Sequence, residues 1–338
     1  MPTSKPRRER TCHSGSKEDP GSRHEPEDAQ SGTRIAAVDA HHHLWDLGVR
    51  HYSWLHASPA GDPFPDFVEL CRDYKIEDYR ADCAGQDIVK SVHVQAEHDA
   101  DDPVRETAWL QAIADDSRSV GFPHAIVAGA DLARGDVERV LEAQASFVNV
   151  RGIRQILRRE STAASGASAE KTLASRASQL EDEGWLRGFG LLRRFDLSFD
   201  LQLFAWQTNE ARALLRRHPD TQIILNHTLM PFDRSEEGLA LWRRGLAIFA
   251  AYPNVALKIS GLGMAPGSWD GALNRRLVVE ALEAFGTRRC LFASNFPIDR
   301  LAADYDTIWA LFRDAVSTLS ADEQHAVLRG NAERVYRI

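Results

Sequence analysis

The segment Asp39-Ala40-His41-His42-His43 holds the densest set of reactive side chains in the sequence. It continues the apolar run Ile35-Ala36-Ala37-Val38, which reads as a β-strand. Residues two apart on a strand share a face about 7 Å apart, so His41 and His43 present two imidazoles side by side. Such a pair can ligate zinc, or it can hydrogen-bond a carboxylate or lactone oxygen directly. Three consecutive histidines could also be an accident or a tag remnant, but these lie inside the chain after a hydrophobic strand. His42, on the other parity, is expected to be structural.

The same alternation recurs along the chain. In residues 88–96, His93 and Gln95, with Glu97 beyond them, oppose Val92, Val94 and Ala96. In 197–203, Ser198, Asp200 and Gln202 oppose Phe199, Leu201 and Leu203, and in 254–260 Lys258 and Ser260 oppose Leu257 and Ile259. Taking the polar parity as inward, with Asp39 joining His41 and His43, makes several strands converge on one polar pocket. Singly, each of these residues has a plainer account as a hydrogen-bonded strand end.

Eight segments read as strands: 35–43, 88–96, 123–130, 148–153, 197–203, 222–227, 254–260 and 290–295. Helix-like stretches such as 103–118, 134–146, 207–217, 236–251 and 272–286 fall between them, the alternation of repeated βα units. Eight units in about 300 residues predict a closed (β/α)8 TIM barrel, with its site at the C-terminal ends of the strands. Helices at 302–319 and 321–336 are expected to cap it. The rival, an open doubly wound sheet, usually carries a glycine-rich first turn, whereas the first strand here ends in HHHLWD. The barrel domain is assigned to residues 35–338, with 158–183 as an exposed Ser/Ala/charge-rich insertion. Residues 1–34 lack Leu, Ile, Val, Phe, Trp and Tyr but carry 13 charged side chains, so a disordered tail is expected. Its acids, from Glu9 to Asp28, weigh against a transit peptide.

The 338 residues carry a net charge of −8 with no basic block in the hydrophobic part, which disfavours a nucleic-acid surface. No apolar run approaches membrane-spanning length and no secretory signal opens the chain, so a soluble, cytoplasmic protein acting on small molecules is expected. Cys12, Cys71, Cys83 and Cys290 show no CxxC spacing, so neither a disulfide framework nor a thiolate zinc site is indicated. Oligomeric state is not legible.

Several motifs in order resemble the amidohydrolase superfamily, in particular the amidohydrolase-related branch with sugar-acid and dicarboxylate lactonases. They are VDAHHHLWD, VQAE, VRGIR, NHTLMP, KISGL, FASNFP and the closing GNAERVYRI, across residues 35–338. The resemblance implies a (β/α)8 barrel, hydrolysis of a small lactone or related acid derivative, and His41, His43 and His227 in the site. Two positions depart from it. Asn295 stands where the branch commonly has the strand-eight aspartate that deprotonates water, and an amide cannot act as a general base. Gln202 stands where metal-dependent members usually carry a histidine. His41, His43 and His227 could just supply three zinc ligands, but two expected neighbours are amides, and the resemblance to lactonases that work without metal implies a metal-free site in which histidines bind substrate oxygens.

The expected substrate is a small anionic lactone or acid derivative, gripped by Arg151 or Arg154 together with Lys258. Arg151 is preferred over Arg154, because the two are three apart and only one can point inward. Gln95, Gln202 and Trp45 are further candidates for substrate contact. His41, His43 and Lys258 would polarise the carbonyl, and His227 leads Glu97 and Asp299 as the base. Asn295→Asp is expected to raise hydrolysis if the amide alone limits it. An isomerase or decarboxylase on the same barrel, or a ligand-binding barrel with reduced catalysis, are the alternatives; they differ in proton release and product spectrum.

Overall fold

A computed structural model describes residues 34–48, 52, 54–55, 67–98, 101–157, 179–265 and 269–338. The expected disordered tail, most of the expected insertion and much of loop 46–66 lie outside these residues. Residues 35–338 form one compact unit.

Eight parallel strands follow one another around the sheet in sequence order. They are β1 (Ala37–His42), β2 (Ile88–Val94), β3 (Ala125–Gly129), β4 (Val150–Arg154), β5 (Ser198–Leu201), β6 (Ile223–Leu225), β7 (Val255–Ile259) and β8 (Cys290–Phe292). The ring closes at the rim, where Asn295 N donates to His41 O at 2.8 Å and His43 N to Phe296 O at 2.7 Å. One helix follows each strand: α1 (Ile76–Cys83), α2 (Val104–Asp115), α3 (Val137–Ala145), α4 (Glu183–Leu191), α5 (Thr208–Arg217), α6 (Glu236–Ala250), α7 (Gly271–Phe285) and α8 (Tyr305–Ala315). Several start on a side-chain cap that satisfies an otherwise orphaned amide, as Asp182 does for Trp185 N, Ser235 for Gly238 N and Asp304 for Thr307 N.

The core has two layers, as barrel geometry requires. Phe199, Leu201, Leu257 and Ile259 pack outward with Trp185 and Phe189, while Val38, Ala40, Val92, Val94, Val127, Ile224 and Leu291 fill the interior. Thus β5 and β7 follow the expected parity, whereas the lower half of β1 and β2 as far as its last residue, Val94, reverse it. Asp39 does not share the face of His41: its carboxylate points into the helical layer, accepting from Tyr79 of α1 and Tyr305 of α8, each at 3.0 Å. His42 also faces outward, stacked on Tyr79 with ring centroids 3.9 Å apart. The β1–β2 pairing slips between Asp39 and His42, and this irregularity turns His41 inward above the interior residue Ala40.

The final helices cap the barrel at the end opposite the histidines. After α9 (Ala321–His325), a π-helical turn (Ala326–Gly330) leads into α10 (Asn331–Tyr336). Ala332, Val335 and Tyr336 of α10 pack with the interior apolar residues, and Glu333 pairs with Lys90 near the start of β2 at 2.7 Å.

Candidate active site

β1 ends in the two inward imidazoles, and β6 contributes a third. His41 and His43 lie edge to face with their Nε2 atoms 3.1 Å apart, and the His227 ring is centred 4.6 Å from that of His41. All three are almost fully buried. Burial holds each well below the ordinary histidine range, reinforced by Lys258 at His41 and by Arg154 at His43 and His227. The cluster is therefore neutral at physiological pH.

Hydrogen-bond partners fix which nitrogens carry protons. His43 Nδ1 lies 2.7 Å from the Val94 carbonyl, which can only accept, so His43 is protonated at Nδ1 and offers its Nε2 lone pair. His41 Nε2 must then be the donor in the 3.1 Å contact. That leaves His41 Nδ1 unprotonated, facing Lys258 Nζ at 3.5 Å.

His227 stands on a run of four non-glycine residues in the left-handed region, His227 to Met230, with φ from 47° to 59°. Each such residue costs about 1–3 kcal/mol, so the surroundings must impose the turn. Trp242 Nε1 donates to Thr228 O at 2.7 Å, and Thr228 Oγ1 donates to Ser260 O at 3.0 Å. His227 Nδ1 lies 3.0 Å from Ser260 Oγ. Gly261, at φ +67°, lets β7 pass close beneath: a Cβ there would meet His227 Cβ at 2.7 Å and Nδ1 at 2.8 Å.

The seam between β1 and β8 is held by Asp39. It accepts from Ser294 Oγ at 2.6 Å, Ser294 N at 2.8 Å and His41 N at 3.2 Å, besides the two tyrosines. Burial pushes its carboxyl up, and the Ser294 and His41 donors oppose that rise. Just beyond, Asn295, with φ 55°, donates from Nδ2 to Asp299 Oδ1 at 2.8 Å, while Gly263 N approaches Asp299 Oδ2 at 3.3 Å. Burial raises the Asp299 carboxyl to about 7, against the pull of Asn295 and Arg234. Asn295 thus anchors a carboxylate four residues on.

The two arginines part company, and the preference for Arg151 is reversed. Arg154 ends β4 inside the rim, with Nη2 donating to Gln95 O and Nη1 to Gln202 Oε1 at 3.3 Å. Arg151 lies near the start of the same strand, bonded to the carbonyls of Val148 and Val150 beside Arg337, at the sealed end. Position along the strand, not parity alone, decides between them. Lys258 is fully buried below the histidines, paired with Asp200, so it meets His41 instead of a substrate carboxylate. Gln95 is at the rim with its side-chain amide tied to Glu97 at 2.8 Å, which also engages Glu97 as a candidate base. Trp45 is core: its ring is buried beside Trp54 and Tyr74, with Nε1 donating to Arg72 O at 2.7 Å. Sequence reasoning missed Tyr336, whose hydroxyl reaches Asp200 at 3.1 Å, and Arg234, which donates to Leu262 O at 2.7 Å next to Asp299. Tyr336 lies in the GNAERVYRI motif, whose closing position hinted at a fixed seat. No comparable signal marks Arg234.

As a metal centre the donor set fits poorly. A ligating imidazole presents a lone pair and donates its other N–H to an acceptor, and His43 meets that requirement. His41 has the reverse arrangement, with an ammonium at Nδ1 and the proton on Nε2. Among the described residues, no group of three His, Cys, Asp or Glu has ligand geometry.

Comparison with known proteins agrees with the geometry. A Sinorhizobium fredii protein, the uncharacterized protein y4mH, is 41% identical over 90% of this chain and 99% of its own length. An L-fucono-1,5-lactonase of Burkholderia multivorans is 31% identical over 89% of this chain and 96% of its own. The crystal structure of a Burkholderia multivorans amidohydrolase with bound zinc superposes with a TM-score of 0.73 at 29% identity, over 90% of this chain and 99% of that one. Residues 38–338 match the family described as Amidohydrolase. The chain belongs to the amidohydrolase family and is a hydrolase on its (β/α)8 barrel.

Proposed function

We propose that the protein hydrolyses a small sugar lactone, without a resident metal, using the imidazole cluster as the electrophile and Asp299 as the base. The single observation that carries this reading is the His41–His43 pair at the rim, neutral and with a directed proton. The L-fucono-1,5-lactonase relative supports the lactone class.

In this reading the Asp299 carboxylate removes a proton from water as the water oxygen bonds to the lactone carbonyl carbon. The carbonyl π electrons move to oxygen, where the His41 Nε2–H and the field of Arg154 stabilise the charge. When the oxyanion collapses, the ring C–O bond breaks and Asp299 returns its proton to the departing oxygen. The products are a hydroxyl and a carboxylic acid, which ionises in neutral solution. Asp299 is better matched to this work than His227, since a base near 7 balances basicity against availability at neutral pH, whereas burial makes the imidazole a weak base. Asn295 serves as the positioning amide for that carboxylate. Arg154 already donates to protein oxygens, so its charge suits a developing oxyanion more than a carboxylate borne by the substrate.

Proton release on a panel of aldonolactones and dicarboxylate lactones tests the reading, with L-fucono-1,5-lactone included. Acid production on sugar lactones is expected. A changed product spectrum without net acid would mean an isomerase, and ligand-dependent melting alone would mean a binder; either ends the hydrolytic proposal. Cytoplasmic carbohydrate catabolism is the proposed setting; among the described residues no helix is long and apolar enough to cross a membrane.

A further inference from the structure

We propose that Lys258 is a positioning residue that fixes His41 as an Nε2–H donor and so keeps a divalent metal out of the histidine pair. This deepens the hydrolytic reading above and rests on it.

Lys258 is fully buried; burial lowers its pKa from the usual lysine value, and Asp200 opposes that shift in favour of the ammonium. Its Nζ lies 2.5 Å from Asp200 Oδ1, 5.2 Å from the centre of the Tyr336 ring and 3.5 Å from His41 Nδ1. Asp200 is itself held by the Tyr336 hydroxyl, at 3.1 and 3.2 Å from its two oxygens. Four elements therefore meet at one cation: β7 supplies it, β5 and α10 hold it, and β1 receives it. An ammonium has three donors and no acceptor. A proton on His41 Nδ1 would set two N–H groups against each other, so Nδ1 keeps its lone pair and Nε2 carries the proton.

Val94, through His43, leaves an Nε2 lone pair for that proton to bond to, but it is the Lys258 ammonium that bars His41 from carrying the proton on Nδ1. For His41 to ligate a metal through Nε2, its proton would have to leave or move to Nδ1, where Lys258 blocks it. The Lys258 ammonium and the Arg154 guanidinium also repel a dication at this rim.

The experiment uses the full-length protein without substrate. Selective 15N-histidine labelling with long-range N–H correlation reads the tautomer, with the His41 signal assigned by its loss in His41→Gln. Zinc retained after loading with zinc sulfate and dialysis is read by elemental analysis. The wild type is expected to show the Nε2–H tautomer and to lose zinc. The double variant Lys258→Met/Asp200→Asn removes both charges together, so no buried ion is left unpaired. It is expected to redistribute the His41 tautomer and to bind zinc about 10- to 100-fold more tightly, the scale on which outer partners set metal affinity. If that variant fails to fold, Tyr336→Phe, which loosens Asp200, is expected to move the same spectrum in the same direction. An Nδ1–H signal in the wild type, one equivalent of zinc surviving dialysis, or an unmoved tautomer in the variants overturns the proposal. Because no substrate enters these measurements, a lactone panel without acid release would sink the hydrolytic reading while leaving the Lys258 result intact.

Discussion

Asp299→Asn separates the carboxylate base from the imidazoles. With the carboxyl near 7, the ionised fraction is about 0.1 at pH 6 and about 0.9 at pH 8, so kcat/KM should rise about tenfold across that interval. The asparagine variant removes the base but keeps the shape of the side chain, and a loss of about 10²- to 10⁴-fold is expected, with a flat profile over the same range. The same carboxyl makes a second, independent prediction for stability. Its value in the fold lies above that of the unfolded chain, so the protonated form is the one that folding favours. The contribution is fully present below about pH 4 and is lost as pH rises to about 7, an amount of order 4 kcal/mol. Thermal melting of the wild type should therefore fall from pH 5 to pH 7 more steeply than that of Asp299→Asn. A variant that keeps the tenfold rise in rate, or turns over within tenfold of wild type at pH 8, refutes the assignment of Asp299.

Asn295→Asp, expected from sequence to aid hydrolysis, should instead slow it at pH 7. The new carboxyl would stand at the 2.8 Å contact with Asp299, two like charges cannot both ionise there, and the rate rise should move to higher pH; a faster enzyme with an unmoved profile contradicts this. Arg151→Ala should leave kcat/KM within about twofold, since the residue lies at the sealed end, and a larger loss in steady-state kinetics would put it back in the site. Arg154→Met should lower kcat/KM by about 10²-fold or more, read in the same assay, and near-native turnover would remove it from the oxyanion's surroundings. Gly261→Ala should lower the melting temperature by the equivalent of about 1–3 kcal/mol and reduce kcat, because the added methyl meets His227; unchanged melting would show that the turn can yield.

The eight strands, their order and the pairing of His41 with His43 were legible because apolar runs and strand-end polar residues repeat with the βα period, and the family resemblance added His227 to them. Inward parity was read correctly on β5 and β7, where Phe199, Leu201, Leu257 and Ile259 have only helices to pack against. It failed on the lower half of β1 and on β2 for a physical reason. The outer face there is polar, because Asp39 and His42 meet tyrosines from α1 and α8 in place of aliphatic side chains. Both faces of a barrel strand are buried, so polarity alone does not tell them apart. The choice between Arg151 and Arg154 depended on how far along β4 each stands, which a pattern of spacing does not encode. The carboxylate beside Asn295 was visible as Asp299, but its acidity arises from burial that only the closed fold supplies.

Tyr336 has a further consequence during protein synthesis. A ribosome delivers β1 with its histidines almost three hundred residues before it delivers the aromatic plug that steadies Asp200 beneath them. Until α10 is made, the interior apolar residues lack the cover that Ala332, Val335 and Tyr336 give them at the base. The seat beneath His41 is therefore completed late, by a segment far from it in sequence.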